Sequence, residues 1–220
     1  MIKAILFDVD GVLVDSREAV EKFRKKFFVA AGYTDIDDKY ITGSFHLPLK
    51  TVVNEALKAK GINNQREIDR VYNMVFDRKL REGQDFKFPK ELEPVLEELH
   101  RHFKLGIITS RIRLGLDDIF DVRPIEKYFD LIVSLDDVKN HKPHPEPLYK
   151  ALEKLNLKAE EAVYVGDSDT DILAAHAAGM PSIHLADIKH NLAHHHIKDF
   201  SEIKDAIKLI ADRYENDNTD

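Results

Sequence analysis

Two groups of aspartates end apolar runs in this sequence, and their spacing suits chemistry on a charged substrate. Asp8 and Asp10 end the run of residues 2–9, in the segment ILFDVDGV, and a glycine follows them. Asp167 and Asp171, in VGDSDTD, stand at the end of a later run and at the start of a helical pattern. Carboxylates that meet in one place repel each other unless a cation lies among them, and a few carboxylates plus waters suit Mg²⁺. We therefore expect these four aspartates to form a magnesium site.

Each group also has a simpler interpretation. Asp and Gly commonly form the turns that follow strands, and an acidic residue at the start of a helix is often only a cap. A calcium loop fits neither segment. The first lacks a third ligand before its glycine, and in the second Ile172 and Ala178 stand where such a loop needs Gly and Glu. Asp169, inside the second segment, is expected to be a solvated loop residue.

Two further segments could hold a phosphate next to these acids. Thr109 and Ser110 leave the apolar run FKLGIIT, and a hydroxyl and backbone N–H groups at a strand end can bind phosphate oxygens. Lys142, in HKPHPEPL, precedes Pro143, which favours an extended backbone before the next helix. Its ammonium could reach the same pocket and offset the negative charge there. Taken singly, a threonine after a strand and a surface lysine are unremarkable.

Five apolar runs without a helical period predict the strands that would position these residues. They cover residues 2–9, 103–109, 130–135, 162–167 and 181–186. Continuous runs rich in Ile, Leu and Val are typical of parallel strands buried on both faces. Helical patterns lie between the later runs; one stops at Gly179, and a capping box of Asp199 and Glu202 introduces the last. This alternation predicts an α/β fold with right-handed crossovers.

A long helical interval interrupts the alternation after the first strand. Three helical patterns cover residues 16–31, 47–60 and 64–82, and a glycine closes each of them. A crossover between parallel strands needs only about a dozen residues, so this interval indicates an inserted unit. We expect a core of residues 1–15 and 84–220 and an α-helical cap domain of residues 16–83. Because the insertion leaves at the carboxyl end of a strand, where ligands bind in open α/β sheets, we expect it to cover the site.

The amino-acid composition and net charge limit the classes of molecule that the protein could bind. The 220-residue chain is 43% hydrophobic and 33% charged, as globular proteins are, and its net charge of −7 argues against nucleic acid, which needs clustered Lys and Arg. No run approaches the roughly 20 apolar residues of a membrane span, and the first ten residues do not resemble a signal peptide. The absence of cysteine fits a reducing cytoplasm. We expect a cytoplasmic protein with a small-molecule partner, as a monomer or homodimer.

Taken in order, the motifs are more specific than any one of them. DxDG after the first strand, Thr after the second, KP before a helix and GDxxxD after the fourth resemble the haloacid dehalogenase-like (HAD) phosphohydrolase superfamily, from residue 2 to about residue 214. The inserted helices resemble its subclass with an alpha-helical cap, which implies a Rossmann-like, three-layer α/β core with a parallel sheet. HKPHPEPL is similar to phosphoglycolate phosphatases and SLDDV, residues 134–138, to pyrophosphatases, while beta-phosphoglucomutases share the same motifs.

The resemblance implies a role for each aspartate. Asp8 would be the nucleophile that forms an aspartyl-phosphate, and Asp10 would be the general acid and then the general base. Mg²⁺ would be bound by Asp8, the backbone carbonyl of Asp10 and Asp167, with Asp171 close by or acting through water. Dehalogenase members lack the second carboxylate of the first motif, so Asp10 disfavours dehalogenation.

The same resemblance implies roles for the residues around the phosphate. Thr109 and the Ser110 N–H would hold phosphoryl oxygens, and Lys142 would neutralise Asp8 and the phosphoryl group. Val12 departs from the Thr of many members, which removes a hydroxyl from this loop. The reaction would be the hydrolysis of a small phosphorylated metabolite. The alternatives are a pyrophosphatase, a phosphomutase that passes the phosphoryl group to a sugar, and a non-catalytic, receiver-like domain; the insertion and Asp10 speak against the last.

The inserted helices would select the substrate. The segment ITGSFHLPLK, residues 41–50, contains a glycine-centred loop where capped relatives place residues over the active site. The candidate substrate-binding residues are Thr42, Gly43, Ser44 and His46, with Lys50 after them. An ordinary connection between helices is an equally open interpretation.

A histidine-rich segment, HNLAHHHIKDF, precedes the last helix. Clustered histidines can bind zinc, but adjacent residues point in different directions and rarely ligate one ion. We expect residues 190–196 to form a solvated loop.

Overall fold

A six-stranded parallel sheet organises the part of the chain that the structure describes, residues 1–44 and 47–216 of a computed structural model. Its strand order is β3-β2-β1-β4-β5-β6. The strands are Ala4–Phe7 (β1), Lys104–Ile108 (β2), Leu131–Val133 (β3), Ala162–Gly166 (β4), Ser182–Leu185 (β5) and His195–Ile197 (β6). The first five lie within the five apolar runs of the sequence, which confirms the α/β fold with a parallel sheet.

Helices surround this sheet and fill the interval after β1. They are Arg17–Ala30 (α1), Asp38–Ile41 (α2), Leu49–Ala59 (α3), Gln65–Asn73 (α4), Arg78–Arg81 (α5), Leu92–His102 (α6), Arg113–Val122 (α7), Glu146–Leu155 (α8), Asp169–Ala178 (α9) and Ile203–Asn216 (α10). None of these helices is long and apolar enough to cross a membrane. The alternation of strand and helix from β2 to α10 is that of a Rossmann-like fold.

The centre of the sheet aligns the strand ends that carry the motifs. All four residues of β1 are buried, and β1 pairs in parallel with β2 on one side and with β4 on the other. In this register Phe7 lies opposite Ile107 and Val165. The residues that follow these three strands therefore emerge at the same, carboxyl, edge of the sheet.

Helices α8 and α9 cover one face of the sheet with a core of aliphatic residues. Leu148 and Leu152 of α8 and Ala174 of α9 pack with Leu6 and Tyr164 of the strands. Small side chains let α9 approach the sheet closely, so its buried face is rich in alanine. As the sequence predicts, α9 ends at Gly179, whose φ of 67° is left-handed.

Contacts between Cα atoms divide the chain into one unit of residues 1–15 and 87–220 and another of residues 16–86. The second unit contains α1 to α5. The expectation of one continuous helix over residues 64–82 is wrong. The backbone of Asp77 is extended (φ −72°, ψ 109°), and its carboxylate accepts a bond from Lys79 N to cap α5. A side chain that can cap a new helix competes with continuing the old one.

The expectation of a solvated loop over residues 190–196 is wrong for His195 and His196, whereas residues 190–194 lie outside the strands and helices. His195–Ile197 forms β6, which pairs in parallel with β5. Ile197 is buried, and His196 Nε2 donates to the carbonyl oxygen of Ala186 at 2.7 Å. Because only one residue of this short strand is apolar, hydrophobic periodicity could not reveal it.

Candidate active site

The loop after β1 brings the first motif to the carboxyl edge of the sheet. Asp8 N donates to Val165 O at 2.9 Å, so the ladder between β1 and β4 continues through Asp8. The chain then turns back, and Val9 O accepts bonds from both Leu13 N and Val14 N. Gly11 sits in this turn with φ +79°, and a Cβ there would lie 1.9 Å from Asp167 Oδ2. Glycine is therefore required both by its φ and by the approach of the second motif.

Three buried or half-buried carboxylates converge at this edge. Asp8, Asp167 and Asp171 each offer one oxygen, and the three oxygens lie within 4.8 Å of one another. A second glycine makes room for this arrangement, since a Cβ at Gly166 would lie 2.3 Å from Asp171 Cβ. Oxygen donors from carboxylates suit a hard cation such as Mg²⁺. The residues present fit the ion that the sequence predicts.

Lys142 is the cation in this cluster. Its Nζ lies 3.0 Å from Asp8 Oδ1 and 2.5 Å from Asp171 Oδ1, and its side chain is only 4% exposed. The same Nζ donates to Tyr164 Oη at 2.9 Å and to Ile108 O at 3.4 Å. The sequence places Lys142 near the pocket, and the structure places it in contact with two of the predicted aspartates.

The carboxylates differ in how far their charge is compensated. Burial raises the pKa of Asp8 well above its ordinary value, against the lowering effect of Lys142, and Asp171 raises it further. Burial and the charge of Asp171 raise the pKa of Asp167 to about 7. Burial also acts to raise the pKa of Asp171, but Lys142 and the hydroxyl of Ser168 outweigh it, so this pKa is lowered.

Lys142 is stabilised as a cation by the same contacts. Burial alone would lower the pKa of Lys142, but the carboxylates of Asp171 and Asp8 raise it above its ordinary value. One ammonium thus faces three carboxylates, and Asp171 takes the shorter of its two ion pairs. The charge left over on Asp8 and Asp167 is the charge that a divalent cation would neutralise.

Asp10 pairs with an arginine to which sequence reasoning gave no role. Arg111 Nε donates to Asp10 Oδ2 at 2.7 Å, and Nη2 donates to Oδ1 at 2.6 Å. The carboxylate of Asp10 is not among the three grouped carboxylates. The family resemblance implies that the backbone carbonyl of Asp10, and not its carboxylate, binds the metal. The position of the carboxylate therefore does not test that expectation. The only sequence signal for Arg111 is its place two residues after Thr109.

The predicted phosphate-binding residues follow β2 directly. Thr109 is buried, its N–H donates to Val133 O at 3.0 Å, and its Oγ1 accepts a bond from Arg111 N at 3.1 Å. Ser110 is half-buried at the next position. Their part in holding a phosphoryl group stays a prediction.

Two side chains that contact Asp171 were also not predicted from the sequence. Tyr164 is fully buried on β4, and its Oη donates to Asp171 Oδ1 at 2.9 Å. Ser168 Oγ donates to Asp171 Oδ2 at 2.5 Å, and the two residues form the capping box of α9. The S-x-x-D spacing could have revealed Ser168. Tyr164 could not be found this way, because it stands within an apolar strand pattern.

The candidate substrate residues of the inserted helices make bonds within their own unit. Thr42 Oγ1 donates to Asp38 O at 3.0 Å, and Ser44 Oγ donates to Lys39 O at 2.6 Å. A Cβ at Gly43 would lie 3.0 Å from Lys39 O. His46 lies outside the described residues. Whether this loop binds substrate stays a prediction.

A buried arginine organises the same loop. Arg24 of α1 is 3% exposed, and its Nη2 donates to Ser44 O at 3.0 Å and to Leu47 O at 3.1 Å. Its Nη1 also donates to Ile41 O at 3.4 Å. The backbone on both sides of the loop is thereby fixed to one guanidinium, which sequence reasoning missed.

Known proteins resemble the chain over most of its length. A phosphoglycolate phosphatase of Photorhabdus laumondii is 33% identical over 189 residues, which are 84% of this chain and 80% of that protein. A pyrophosphatase PpaX of Bacillus pumilus is 34% identical over 190 residues, 81% of this chain and 80% of that protein. The crystal structure of a HAD-superfamily hydrolase, subfamily IA, from Geobacter sulfurreducens covers 93% of this chain and 96% of its own, with 27% identity and a TM-score of 0.70.

Clustered aspartates and a buried lysine at the carboxyl edge of a parallel sheet are the arrangement expected for the active site of an α/β enzyme. The model of the haloacid dehalogenase-like hydrolase family matches residues 5–185. The chain therefore belongs to this family, and it is an enzyme of the phosphatase type.

Proposed function

We propose that the protein is a Mg²⁺-dependent phosphatase that hydrolyses a small phosphorylated metabolite through an aspartyl-phosphate on Asp8. The observation that carries the proposal is the contact of Asp8 with Lys142 beside Asp167 and Asp171. Asp8 is the first residue after the central strand, so its carboxylate stands at the open edge of the sheet. An anion bound there meets a fixed ammonium.

The reaction has two displacements. An oxygen of Asp8 attacks phosphorus, the bond from phosphorus to the leaving oxygen breaks, and Asp10 supplies a proton to that oxygen. Asp10 then takes a proton from water, whose oxygen attacks phosphorus and restores the carboxylate of Asp8. Lys142 lowers the pKa of Asp8 against the effect of burial, which favours the ionised form that attacks, and it offsets the charge that develops on the phosphoryl oxygens.

The remaining residues hold the substrate and the cofactor. Asp8, Asp167 and the backbone carbonyl of Asp10 would hold Mg²⁺, with Asp171 supporting them. When bound, Mg²⁺ supplies positive charge to the phosphoryl oxygens and lowers the repulsion between the substrate and the carboxylates. Thr109 and the N–H of Ser110 would bind the phosphoryl oxygens on the side of β2.

The substrate is proposed by class. Relatives named for phosphoglycolate and for pyrophosphate hydrolysis are about equally similar to this chain, and both substrates are small and highly charged. We put a small phosphate monoester first and inorganic pyrophosphate second. The unit of residues 16–86 is proposed to act as the cap that selects between them, through Thr42, Gly43, Ser44 and His46. A cytoplasmic location and a monomeric or homodimeric state belong to the same proposal.

Phosphate release from a substrate panel tests the proposal. The panel contains phosphoglycolate, pyrophosphate, sugar phosphates and nucleotides, each with Mg²⁺ or with EDTA. Asp8→Asn should abolish release, and Asp15→Asn, an exposed acid in the same loop, should not. Release from the preferred substrate that survives EDTA, or that survives Asp8→Asn, would contradict the mechanism. Transfer to a sugar with a bisphosphate requirement would indicate a phosphomutase, and no release at all would favour a non-catalytic domain.

A further inference from the structure

A buried histidine on β5 contacts the backbone of a proposed metal ligand. His184 is 4% exposed, and β5 lies beside β4, the strand that ends just before Asp167. The Nε2 atom of His184 lies 3.0 Å from the backbone oxygen of Asp167. On the other side of the ring, His190 N donates to His184 Nδ1 at 3.1 Å. The imidazole thus joins two backbone segments, and neither the motifs nor the proposed reaction uses it.

These two partners determine which ring nitrogen carries the proton. A backbone N–H can only donate, so Nδ1 of His184 must be the acceptor and carries no hydrogen. A carbonyl oxygen can only accept, so Nε2 must carry the hydrogen that it donates to Asp167. The ring therefore has its full complement of bonds as a neutral imidazole, and it is not available as a metal ligand.

The bond to Asp167 fixes a residue whose orientation is demanding. The carboxylate of Asp167 lies against Gly11 so closely that no Cβ could fit between them. Its backbone oxygen is held by His184, and the direction of the side chain depends on that backbone. A group that orients a metal ligand commonly changes metal affinity by about 10- to 100-fold when it is removed.

We propose that His184 is a positioning residue for Asp167 and sets the affinity of the three-aspartate cluster for a divalent cation. This inference rests on the proposed function. The loop after β5 supports the ring, since the N–H that it receives comes from His190. The side chain of His190 also approaches the segment after β4, with Nε2 3.8 Å from Asp169 Oδ1.

Two substitutions separate the two bonds of the ring. His184→Gln can place an amide N–H near the position of Nε2 and so keep the donor to Asp167. His184→Asn can place an oxygen near the position of Nδ1 and so keep the acceptor for His190, but it loses the donor to Asp167. The control is His195→Asn, the same change on the neighbouring strand β6.

Binding of Mn²⁺ to the metal-free full-length protein is measured by the EPR signal of free Mn²⁺, and unfolding is followed by circular dichroism. We expect His184→Asn to raise the Kd for Mn²⁺ by about tenfold or more, with His184→Gln and His195→Asn close to wild type. At saturating Mg²⁺, His184→Asn should regain most of its kcat. Equal Kd values for wild type and both His184 variants would overturn the proposal, as would equal weakening in both with an equal loss of Tm.

Failure of the proposed function gives a different result. If the wild-type protein binds no Mn²⁺, the metal site itself is wrong and the role of His184 falls with it. If the wild-type protein binds Mn²⁺ and hydrolyses phosphate esters while the variants bind equally well, only the role of His184 is wrong. Should both variants fail to fold, the ¹⁵N chemical shifts of the wild-type ring still decide: the Nε2–H form supports the proposal and the Nδ1–H form overturns it.

Discussion

The guanidinium of Arg111 binds both carboxylate oxygens of Asp10, with Nε 2.7 Å from Oδ2 and Nη2 2.6 Å from Oδ1. Both side chains are largely shielded from solvent, at 15% and 21% exposure. Two-point pairing fixes the plane of the carboxylate as well as its position. Because the guanidinium occupies one lone pair of each oxygen, a proton that Asp10 gives or takes must use the remaining lone pair of an oxygen already paired with Arg111.

Replacing Arg111 by Lys should lower kcat by about 10- to 100-fold, because lysine keeps the charge but cannot fix the carboxylate at two points. Steady-state kinetics on the preferred substrate measure the effect. Arg113→Lys is the matched control, since Arg113 pairs with the exposed carboxylates of Asp117 and Glu126. An unchanged kcat in Arg111→Lys would show that the pairing has no part in catalysis.

Replacing Gly11 by Ala should lower the free energy of unfolding by more than the left-handed backbone conformation alone would. Gly11 and Gly61 have the same φ of +79°, but a Cβ at Gly61 would meet no atom within 4 Å, while one at Gly11 would meet Asp167 at 1.9 Å. Gly61→Ala therefore measures the left-handed conformation alone, about 1–2 kcal/mol. Gly11→Ala should lose more free energy of unfolding and should also lose stabilisation by Mg²⁺. Equal losses measured by urea denaturation, with Mg²⁺ stabilisation intact in both, would contradict the close approach of Asp167.

The stabilisation of the protein by Mg²⁺ should increase with pH. In the metal-free protein the pKa of Asp167 is about 7, against an ordinary value of 3.8. Between these values the folded state binds more protons than the unfolded state, so this group makes the free energy of unfolding fall as pH rises. Since Mg²⁺ competes with that proton, we expect the increase in Tm on adding Mg²⁺ to grow from about pH 5 to about pH 8.

Variants of Asp167 and Asp169 distinguish the protonation of Asp167 from the loss of any one negative charge near the site. Asp167→Asn should reduce the growth of the Mg²⁺ effect with pH to the part that comes from Asp8, whose pKa is also raised. Asp169→Asn, at a highly exposed side chain, should preserve the full growth. The measurement is a series of thermal melts with and without Mg²⁺ at each pH. A Mg²⁺ effect on the wild-type Tm that is constant over this range would contradict the raised pKa of Asp167.

Tyr164→Phe removes one hydroxyl from the buried cluster and leaves the ring. The variant leaves Lys142 and Asp171 each without one partner, at 2.9 Å in both cases, so the free energy of unfolding should fall by about 1–3 kcal/mol. Because Lys142 keeps its contact with Asp8, kcat should fall by less than about tenfold. Tyr149→Phe, which removes an exposed hydroxyl bonded to Ala177 O, is the control. Equal stability of the two variants in urea would show that the Tyr164 hydroxyl has no net structural role.

The sequence predicted the acids and the lysine of the site because the fold does most of the positioning. Asp8 and Asp167 follow neighbouring parallel strands, so their meeting at one edge requires only that the runs around them be strands. Such runs are visible as hydrophobic patterns, and Lys142 is marked by the proline that follows it.

The rest depended on side-chain directions that no local pattern encodes. Arg111 reaches a carboxylate 101 positions away. His184 stands in the strand SIHL, where polar and apolar residues alternate and nothing marks the histidine as functional. In the interval over residues 64–82, a local pattern is present but predicts too much. There the helical period continues, but the capping carboxylate of Asp77 divides the helix.

The proposed role of Asp8 as the nucleophile is tested most directly by trapping the phosphoenzyme. The protein is mixed with its preferred substrate and Mg²⁺, quenched in acid and treated with borohydride, which reduces an aspartyl-phosphate to homoserine. Peptide mass spectrometry then locates the product. We predict homoserine at position 8 and none at positions 10, 167 or 171. Homoserine at another aspartate, or turnover by Asp8→Asn at the wild-type rate, would contradict the account.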